Sequence, residues 1–180
     1  PFRAFGRPRL AFLVSSGNLD SMVNHYSVAK HRRREDVYTP GGKAGRRPDR
    51  AVIVYANRCR EAYAGVPIVI GGLEASLRRF AHYDYWDDKI RRSIIFDSQA
   101  DLLVYGMGEN QMIEICRRLS NGENISDIRD VKGTCYVCDV TETPYEGKEC
   151  PSYENCLKSK KEYAVSCRIE QDEQDHIRGK

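Results

Sequence analysis

The sequence lacks any apolar run long enough to cross a bilayer. A typical run, Val66-Pro67-Ile68-Val69-Ile70, has only five residues, whereas a membrane-spanning helix needs roughly 20. The chain also lacks a basic start that leads into an apolar stretch and a cleavage site, so nothing directs it to secretion. We therefore expect a cytoplasmic protein. It begins with Pro1 rather than methionine, and we expect it to be a piece of a longer chain.

The sequence also lacks the cysteine pattern of a disulfide framework. Seven is an odd number, and without a secretory signal we expect reduced thiols. Cys135 and Cys138 form a C-x-x-C, but Cys150 and Cys156 are too far apart for the second close pair of a structural zinc site. Residues 134–138 are also typical of a strand, in which residues three apart point to opposite faces. We favour buried apolar cysteines over a zinc site and expect no metal here.

Charge is unevenly distributed along the chain. Residues 1–50 hold 11 Lys and Arg against 4 Asp and Glu, whereas residues 101–180 hold 11 against 16. Clustered positive charge gains free energy from counterion release on a polyanion. The candidates for such contacts are Arg32, Arg33, Arg34, Arg46 and Arg47. A solvated loop is the favoured alternative, and the acidic half of the chain offers these arginines an internal partner.

Strand-like and helix-like segments alternate along the first two thirds of the chain. Apolar runs at 10–14, 66–70 and 101–105 each end in a loop with glycine or serine, as buried parallel strands do. Helical spacing follows each run, at about 48–63, 74–80 and 109–119. The pattern predicts an α/β fold with a doubly wound, Rossmann- or flavodoxin-like parallel sheet.

The number of predicted strands is small for a free-standing sheet. Three strands leave two exposed edges and a small core, so we expect the first strands of the sheet to be missing and the fold to be incomplete. We place this α/β domain at residues 1–133. Residues 134–180 are predicted to form a strand, a loop and a C-terminal helical extension.

Several ordered motifs resemble one known family. They are Gly17–Tyr26, Tyr38–Gly42, Arg47–Arg50, Gly71–Arg79, His82–Trp86 and Gln174–Lys180. Together they resemble the amino-terminal region of YgiQ-type radical SAM proteins, from about Arg3 to Lys180. The sequence departs from that pattern at His176, where the family usually has proline.

The resemblance implies a larger enzyme in which a cobalamin-binding-like α/β domain precedes a radical SAM domain. That domain holds a [4Fe–4S] cluster on a C-x-x-x-C-x-x-C motif and binds S-adenosylmethionine at the open iron. The present sequence has no such triplet, so we expect this chain alone to be inactive and to hold no cofactor. Its expected partner is its own radical SAM domain. The sequence has no D-x-H-x-x-G loop to supply a histidine ligand for cobalamin. Gly71–Ser76 resembles the glycine-rich strand end that faces the corrin nucleotide tail in cobalamin-binding domains, so a corrin is possible but has no further support. The substrate is not indicated.

Ligands of doubly wound sheets collect outside the carboxyl ends of the strands. The ligand-rim candidates there are Asn18, Asp20, Gly71, Gly72, Glu74, Ser76 and Glu109. Nearby residues that suit stacking or proton transfer are His25, His82, Tyr83 and Trp86. For the two glycines, the favoured alternative is that they allow a helix to pack closely. For the aromatic residues, it is that they cover an apolar patch or a domain interface.

Two classes of function follow from these patterns. The first is an accessory domain of a radical SAM enzyme, which shapes substrate access or binds a cofactor at the rim. The second is a non-catalytic module that binds nucleic acid or another polyanion through residues 30–50. Tyr38 is the only aromatic residue in that stretch, which weakens the second class because single-stranded nucleic acid is usually held by stacked aromatics.

Overall fold

The structure is a computed structural model that describes residues 1–139 and 147–174. In chain order, its elements are β1 (Phe12–Val14), α1 (Ser21–His25), α2 (Ala51–Ala62), β2 (Ile68–Ile70), α3 (Gly72–Leu77), β3 (His82–Asp84), β4 (Lys89–Arg91), α4 (Ile94–Ser98), β5 (Leu102–Val104), α5 (Glu109–Ser120), β6 (Thr134–Cys135), α6 (Tyr153–Lys158) and α7 (Lys160–Gln174). The chain divides into two compact units. The first contains residues 1–79 and 93–137, and the second contains residues 80–92 and the described residues from 138 onward.

The first unit is built on a mainly parallel sheet with the order β1-β2-β5-β6. β1, β2 and β5 are parallel to one another, with Leu13 opposite Val69 and Ile70 opposite Leu103. β6 pairs antiparallel with β5, so the sheet is mixed. The predicted α/β class is confirmed. β2 and β5 are buried along their whole length, as continuous apolar runs are in strands covered on both faces.

Helices cover both faces of this sheet. On one face, α2 and α4 pack against β2 and β5 through Val52, Ala56, Cys59, Ile94 and Ile95. On the other face, Ile115 of α5 packs against Val69, Leu102 and Val104. Met112 and Leu119 flank Ile115 at helical spacing and also contact this second cluster. Burial of each large aliphatic side chain contributes about 1.5–3 kcal/mol, so the two clusters fix the positions of the strand ends.

The helices that were predicted from a clear helical spacing of apolar residues have nearly the predicted boundaries. α2 and α5 lie within about three residues of the predicted ranges. The five-residue α1 was not predicted; it begins at the Asp20 cap, whose side chain accepts from the N–H groups of Met22 and Val23. The single helix predicted from Tyr153 is two helices, because Ser159 has extended backbone at φ −142°.

The second unit combines a two-stranded hairpin with two helices. β3 and β4 are antiparallel, and Asp84 orders their turn by accepting from the N–H groups of Trp86 and Asp87 at 2.9 and 3.2 Å. The other Asp84 oxygen accepts from Arg91 Nε at 2.7 Å. The hydroxyl of Tyr163 on α7 accepts from the N–H of Tyr83 at 2.9 Å. In the described ranges of both units, no helix has the length and apolar character that a membrane span requires.

Candidate functional site

The carboxyl ends of β1, β2 and β5 border a cleft of about 200 Å³ in the first unit. Its apolar lining includes Leu13, Val69 and Met112, and its small lining residues are Ser15, Gly71, Gly72, Gly106 and Gly108. Pockets for drug-sized ligands usually measure about 300–1,000 Å³. This cleft therefore suits a narrow group, such as one arm of a ligand, better than a complete large cofactor.

The glycines of the rim allow the strand ends to approach one another closely. Gly72 has a φ of +78°, and a Cβ there would lie 3.2 Å from the Cβ of Ser15. A Cβ on Gly71 would lie 3.3 Å from the carbonyl oxygen of Val104, and one on Gly108 would lie 2.5 Å from a methyl group of that valine. Gly71 and Gly72 thus serve close packing and also line the cleft.

Three polar rim candidates differ in how firmly the fold holds them. Ser76 Oγ donates to the carbonyl oxygen of Gly72 at 2.8 Å and accepts from the N–H of Gly106 at 3.2 Å. This serine therefore ties the turn after β2 to the turn after β5. Asn18 and Glu109 are exposed, with Asn18 in the loop after β1 and Glu109 at the start of α5.

Glu74 is an internal anchor with only 1% of its surface exposed. Its carboxyl oxygens accept from the N–H of Ser21 at 2.8 Å and the N–H of Val52 at 3.1 Å. Ser21 Oγ in turn accepts from the N–H of Ala51 at 3.0 Å. One acidic side chain therefore holds the first turns of α1 and α2 together, because those N–H groups have no partner within their helices.

Asp20 joins the same anchor from the side of α1. It caps that helix, it is buried, and its second oxygen pairs with Arg78. Arg78 also donates to the carbonyl oxygen of Glu74 at 3.3 Å. The structure thus brings Asp20 and Glu74 together beneath the loop that follows β1, with both carboxyl groups bonded to the protein itself.

His25 lies between two carboxylates in the interior. Its Nδ1 is 2.7 Å from Asp49 Oδ1 and its Nε2 is 3.4 Å from Asp36 Oδ2, while its side chain is 2% exposed. Tyr26 donates its hydroxyl to Asp49 Oδ2 at 2.7 Å, and this hydrogen bond raises the pKa of Tyr26. Burial raises the pKa of Asp49, but the hydrogen bonds from His25 and Tyr26 outweigh it and leave that pKa lowered.

Asp36 is the centre of this polar network and was not among the predicted site residues. It is 1% exposed. It accepts from four donors, which are Asn24 Nδ2 at 2.7 Å, Arg47 Nε at 2.8 Å, Thr39 Oγ1 at 2.9 Å and the N–H of Tyr38 at 3.0 Å. Burial raises the Asp36 pKa, but the bonds from Arg47, Tyr38, Thr39 and Asn24 together hold it well below its usual range. The available signal was the spacing of Asp36 before Tyr38 and Thr39, typical of an Asx turn.

Of the five arginines predicted to contact a polyanion, two make hydrogen bonds within the protein and three are exposed side chains. Arg47 pairs with Asp36, donates to the carbonyl oxygen of Ser16 at 3.0 Å and lies over the ring of Tyr38 at 4.9 Å. Arg33 Nε donates to two backbone carbonyl oxygens of the α1 region. Arg32, which lies over the ring of Tyr26 at 5.8 Å, is exposed, as are Arg34 and Arg46. The fold thus uses Arg47 internally.

The aromatic candidates belong to the second unit. Tyr83 donates its hydroxyl to Asp88 at 2.5 Å and is 46% exposed. His82 Nδ1 lies 3.1 Å from the carbonyl oxygen of Phe80. Trp86 is half-buried in the hairpin turn. Asp20, His25 and Glu74 lie in the first unit, so the predicted residues are divided between the two units.

The described part of the chain does not fit an iron–sulfur cluster. Cys135 packs against the α2 face of the sheet core, and burial raises the pKa of its thiol to about 11, which disfavours the thiolate that a metal needs. Cys138 belongs to the other unit. Within residues 1–139 and 147–174, no group of three or more His, Cys, Asp or Glu side chains is placed to hold a metal ion. The cleft of about 200 Å³ is smaller than the usual pocket of a drug-sized ligand, so it would not enclose a complete corrin.

A family profile and curated relatives both match almost the whole of this chain. A family profile described as "Radical SAM N-terminal" matches residues 1–180. The chain is 55% identical over 180 residues to a UPF0313 protein of Clostridium perfringens strain SM101, and 53% identical over 179 residues to one of Clostridium botulinum strain ATCC 19397. Each alignment covers 99% of this chain but only 27% or 28% of the relative, so the chain spans about a quarter of their length. No solved structure matches.

Proposed function

Since the chain belongs to the radical SAM N-terminal family, we propose that it is the accessory domain of a radical SAM enzyme whose substrate is not yet identified. The observation that carries this proposal is the family match over the whole chain, residues 1–180. The cluster and S-adenosylmethionine would then be held elsewhere in the full-length protein, where three thiolates anchor the cluster and the open iron binds the cofactor. The sequence of this chain has no C-x-x-x-C-x-x-C motif.

The role of this domain is to present a stable, narrow cleft at the carboxyl ends of a parallel sheet. Such strand ends are where ligands bind in open α/β sheets, which is also the basis for a cobalamin-binding-like classification. The glycine-lined rim admits a thin group, and Leu13, Val69 and Met112 offer it an apolar lining. The buried network of Glu74, Asp36 and their partners fixes the loop that follows β1.

The polyanion alternative has less support. Of its five arginines, Arg47 is bound to Asp36 and Ser16, and Arg33 to two backbone carbonyl groups. A side chain that is committed to internal hydrogen bonds gains less from a phosphate, because those bonds must first break.

The test of the proposed function is cofactor cleavage by the full-length protein. After anaerobic reconstitution with iron and sulfide, and reduction, it should convert S-adenosylmethionine to 5′-deoxyadenosine. Chain 1–180, treated in parallel, should form none, because it lacks the cluster ligands. A full-length protein that forms no 5′-deoxyadenosine, while a control radical SAM enzyme does, would refute the proposal.

A further inference from the structure

One edge of the sheet is open within the described residues. In β1, the N–H of Phe12 donates to the carbonyl oxygen of Pro67 at 2.8 Å, and the carbonyl oxygen of Val14 accepts from the N–H of Gly71 at 3.0 Å. Backbone groups alternate in direction along a strand, so the N–H and C=O of Leu13 point away from β2. In residues 1–139 and 147–174, no strand pairs with that side of β1.

The three residues of β1 include neither a charged side chain nor a proline. Exposed edges are commonly blunted by charged side chains, by proline or by a bulge. β1 has the sequence Phe-Leu-Val, and its central Leu13 is 57% exposed. The neighbouring strands β2 and β5 are buried on both faces. β1 therefore has the composition of an interior strand but lies at an edge.

A second observation concerns the α2 face beside this edge. A groove of about 290 Å³ runs there, and its lining includes Phe2, Phe12, Tyr55 and Cys59. Tyr55 and Cys59 lie on α2, and Phe12 faces the core cluster that α2 covers. An apolar groove next to an unpaired strand is the space that an additional strand and its connection would fill.

The topology indicates which part of the protein would fill it. β1, β2 and β5 follow one another across the sheet in chain order. The helices α2 and α4, which belong to the connections between these strands, both cover the same face of the sheet, as right-handed crossovers require. An earlier parallel strand at the free edge would, by the same rule, send its connection across the α2 face. Phe2 already lies on this face, with its ring 6.1 Å from that of Tyr55.

We propose that the free edge of β1 receives a parallel strand from residues that precede Pro1 in the full-length protein, and that the connecting segment covers the groove beside Phe2 and Tyr55. The relatives are several times longer than this chain, which covers 27% or 28% of them, and the topology favours a segment before Pro1 over one after Lys180. The inference concerns the architecture alone and stands whether or not the full-length protein cleaves S-adenosylmethionine.

The first test is amide hydrogen exchange in the full-length protein at single-residue resolution. The Leu13 amide should exchange about 100-fold or more slowly than an unstructured amide, as expected for a hydrogen-bonded strand. The Val69 amide in the neighbouring strand is the protected reference, and the amide of Val37, whose surface is 76% exposed, is the loop reference. A Leu13 amide that exchanges as fast as that of Val37 would overturn the proposal.

The second test identifies the occupant. The photo-crosslinking residue benzoylphenylalanine replaces Leu13 in the full-length protein, and mass spectrometry locates the adduct after irradiation. The expected adduct lies within the same chain, before Pro1. An adduct to a second copy, or to residues after Lys180, would overturn the assignment. The same substitution at Ile113, which is 68% exposed on α5, is the matched control and should give no adduct before Pro1.

Discussion

At the scale of single residues, buried acidic side chains hold the loop after β1 to the sheet. Glu74, Asp20 and Asp36 are each 3% exposed or less. A buried polar group is tolerated only when its hydrogen bonds are satisfied. The partners of Glu74 and the Arg78 partner of Asp20 come from distant parts of the chain, whereas those of Asp36 lie within 12 residues. These residues are therefore better explained as structural supports of the cleft than as its reactive groups.

The first prediction concerns Glu74. Glu74→Leu should destabilise the first unit by about 2–5 kcal/mol, because it leaves the N–H groups of Ser21 and Val52 buried without acceptors, at about 1–3 kcal/mol each. Glu74→Gln retains one acceptor oxygen and should cost about half as much. Native-state hydrogen exchange of the β2 and β5 amides in the full-length protein measures both values. The matched control is Glu109→Gln at an exposed site, which should change the stability by less than about 0.5 kcal/mol.

The second prediction is a dependence of stability on pH. The pKa values of Asp36 and Asp49 are lowered in the folded protein, so their contribution is fully present above the unfolded value of about 3.9. It is lost as the pH falls below that value, because the unfolded state then binds more protons. The urea midpoint of chain 1–180 should therefore fall steadily from about pH 4 downward.

The variant Asp36→Asn isolates this contribution. It should be less stable than the unmodified chain at pH 7, and its urea midpoint should fall less steeply below about pH 4. Glu35→Gln, at the exposed neighbouring position, is the control and should retain the steep decline. Equal slopes for Asp36→Asn and the unmodified chain would show that Asp36 is not the source.

At the scale of elements, the end of helix α4 depends on an unusual backbone conformation. α4 ends at Ser98, and the next residue, Gln99, has a left-handed conformation with φ 51° and ψ 34°. Its N–H bonds back to the carbonyl oxygens of Ile95 and Phe96, as in the usual left-handed helix end, where glycine is preferred. Glutamine at position 99 therefore has a higher conformational cost than glycine would have there.

The third prediction follows from that conformation. A non-glycine residue in the left-handed region costs roughly 1–2 kcal/mol, and glycine's greater freedom in the unfolded chain offsets about 0.5–1 kcal/mol of this. Gln99→Gly should therefore stabilise the first unit by about 0.5–1 kcal/mol, measured by hydrogen exchange of the β5 amides. Gln99→Ala, which keeps a Cβ, should have almost no effect. A stabilisation of equal size in both variants would refute the explanation.

At the scale of the whole molecule, the cysteines are divided between two compact units. The C-x-x-C of Cys135 and Cys138 crosses the boundary between them, and Cys135 is a buried thiol with a raised pKa. A tetrahedral site needs converging thiolates. The iron–sulfur cluster that we propose for the full-length protein should therefore not depend on this pair.

The fourth prediction tests this independence. The double variant Cys135→Ser, Cys138→Ser of the full-length protein should retain the iron content of the unmodified protein after reconstitution. Its absorbance at roughly 400 nm, where thiolate-bound iron–sulfur clusters absorb, should be unchanged as well. Because the serine hydroxyl would be a new polar group near the core, Cys135→Ala is the companion variant. Loss of iron in both variants would mean that these thiols hold the cluster.

The sequence by itself determined the class of the fold and the positions of the main elements. Continuous apolar runs followed by glycine or serine predict parallel strands, and the spacing of Met112, Ile115 and Leu119 predicts α5; these are local signals within one segment. The motif order also indicated the family, which the match over residues 1–180 confirmed. Helix α1 escaped prediction because its first residue, Ser21, is anchored by Glu74, which lies 53 residues further along the chain.

Only the tertiary structure decided which polar residues face the cleft and which support it. Asp20, His25 and Glu74 follow strand ends, as ligand-binding residues do, yet their partners at Arg78, Asp49 and the N–H groups of Ser21 and Val52 make them internal. Those contacts join positions 22 to 58 residues apart, which no local pattern specifies. The free edge of β1 is likewise a property of strand order, since a strand's own sequence does not state how many neighbours it has.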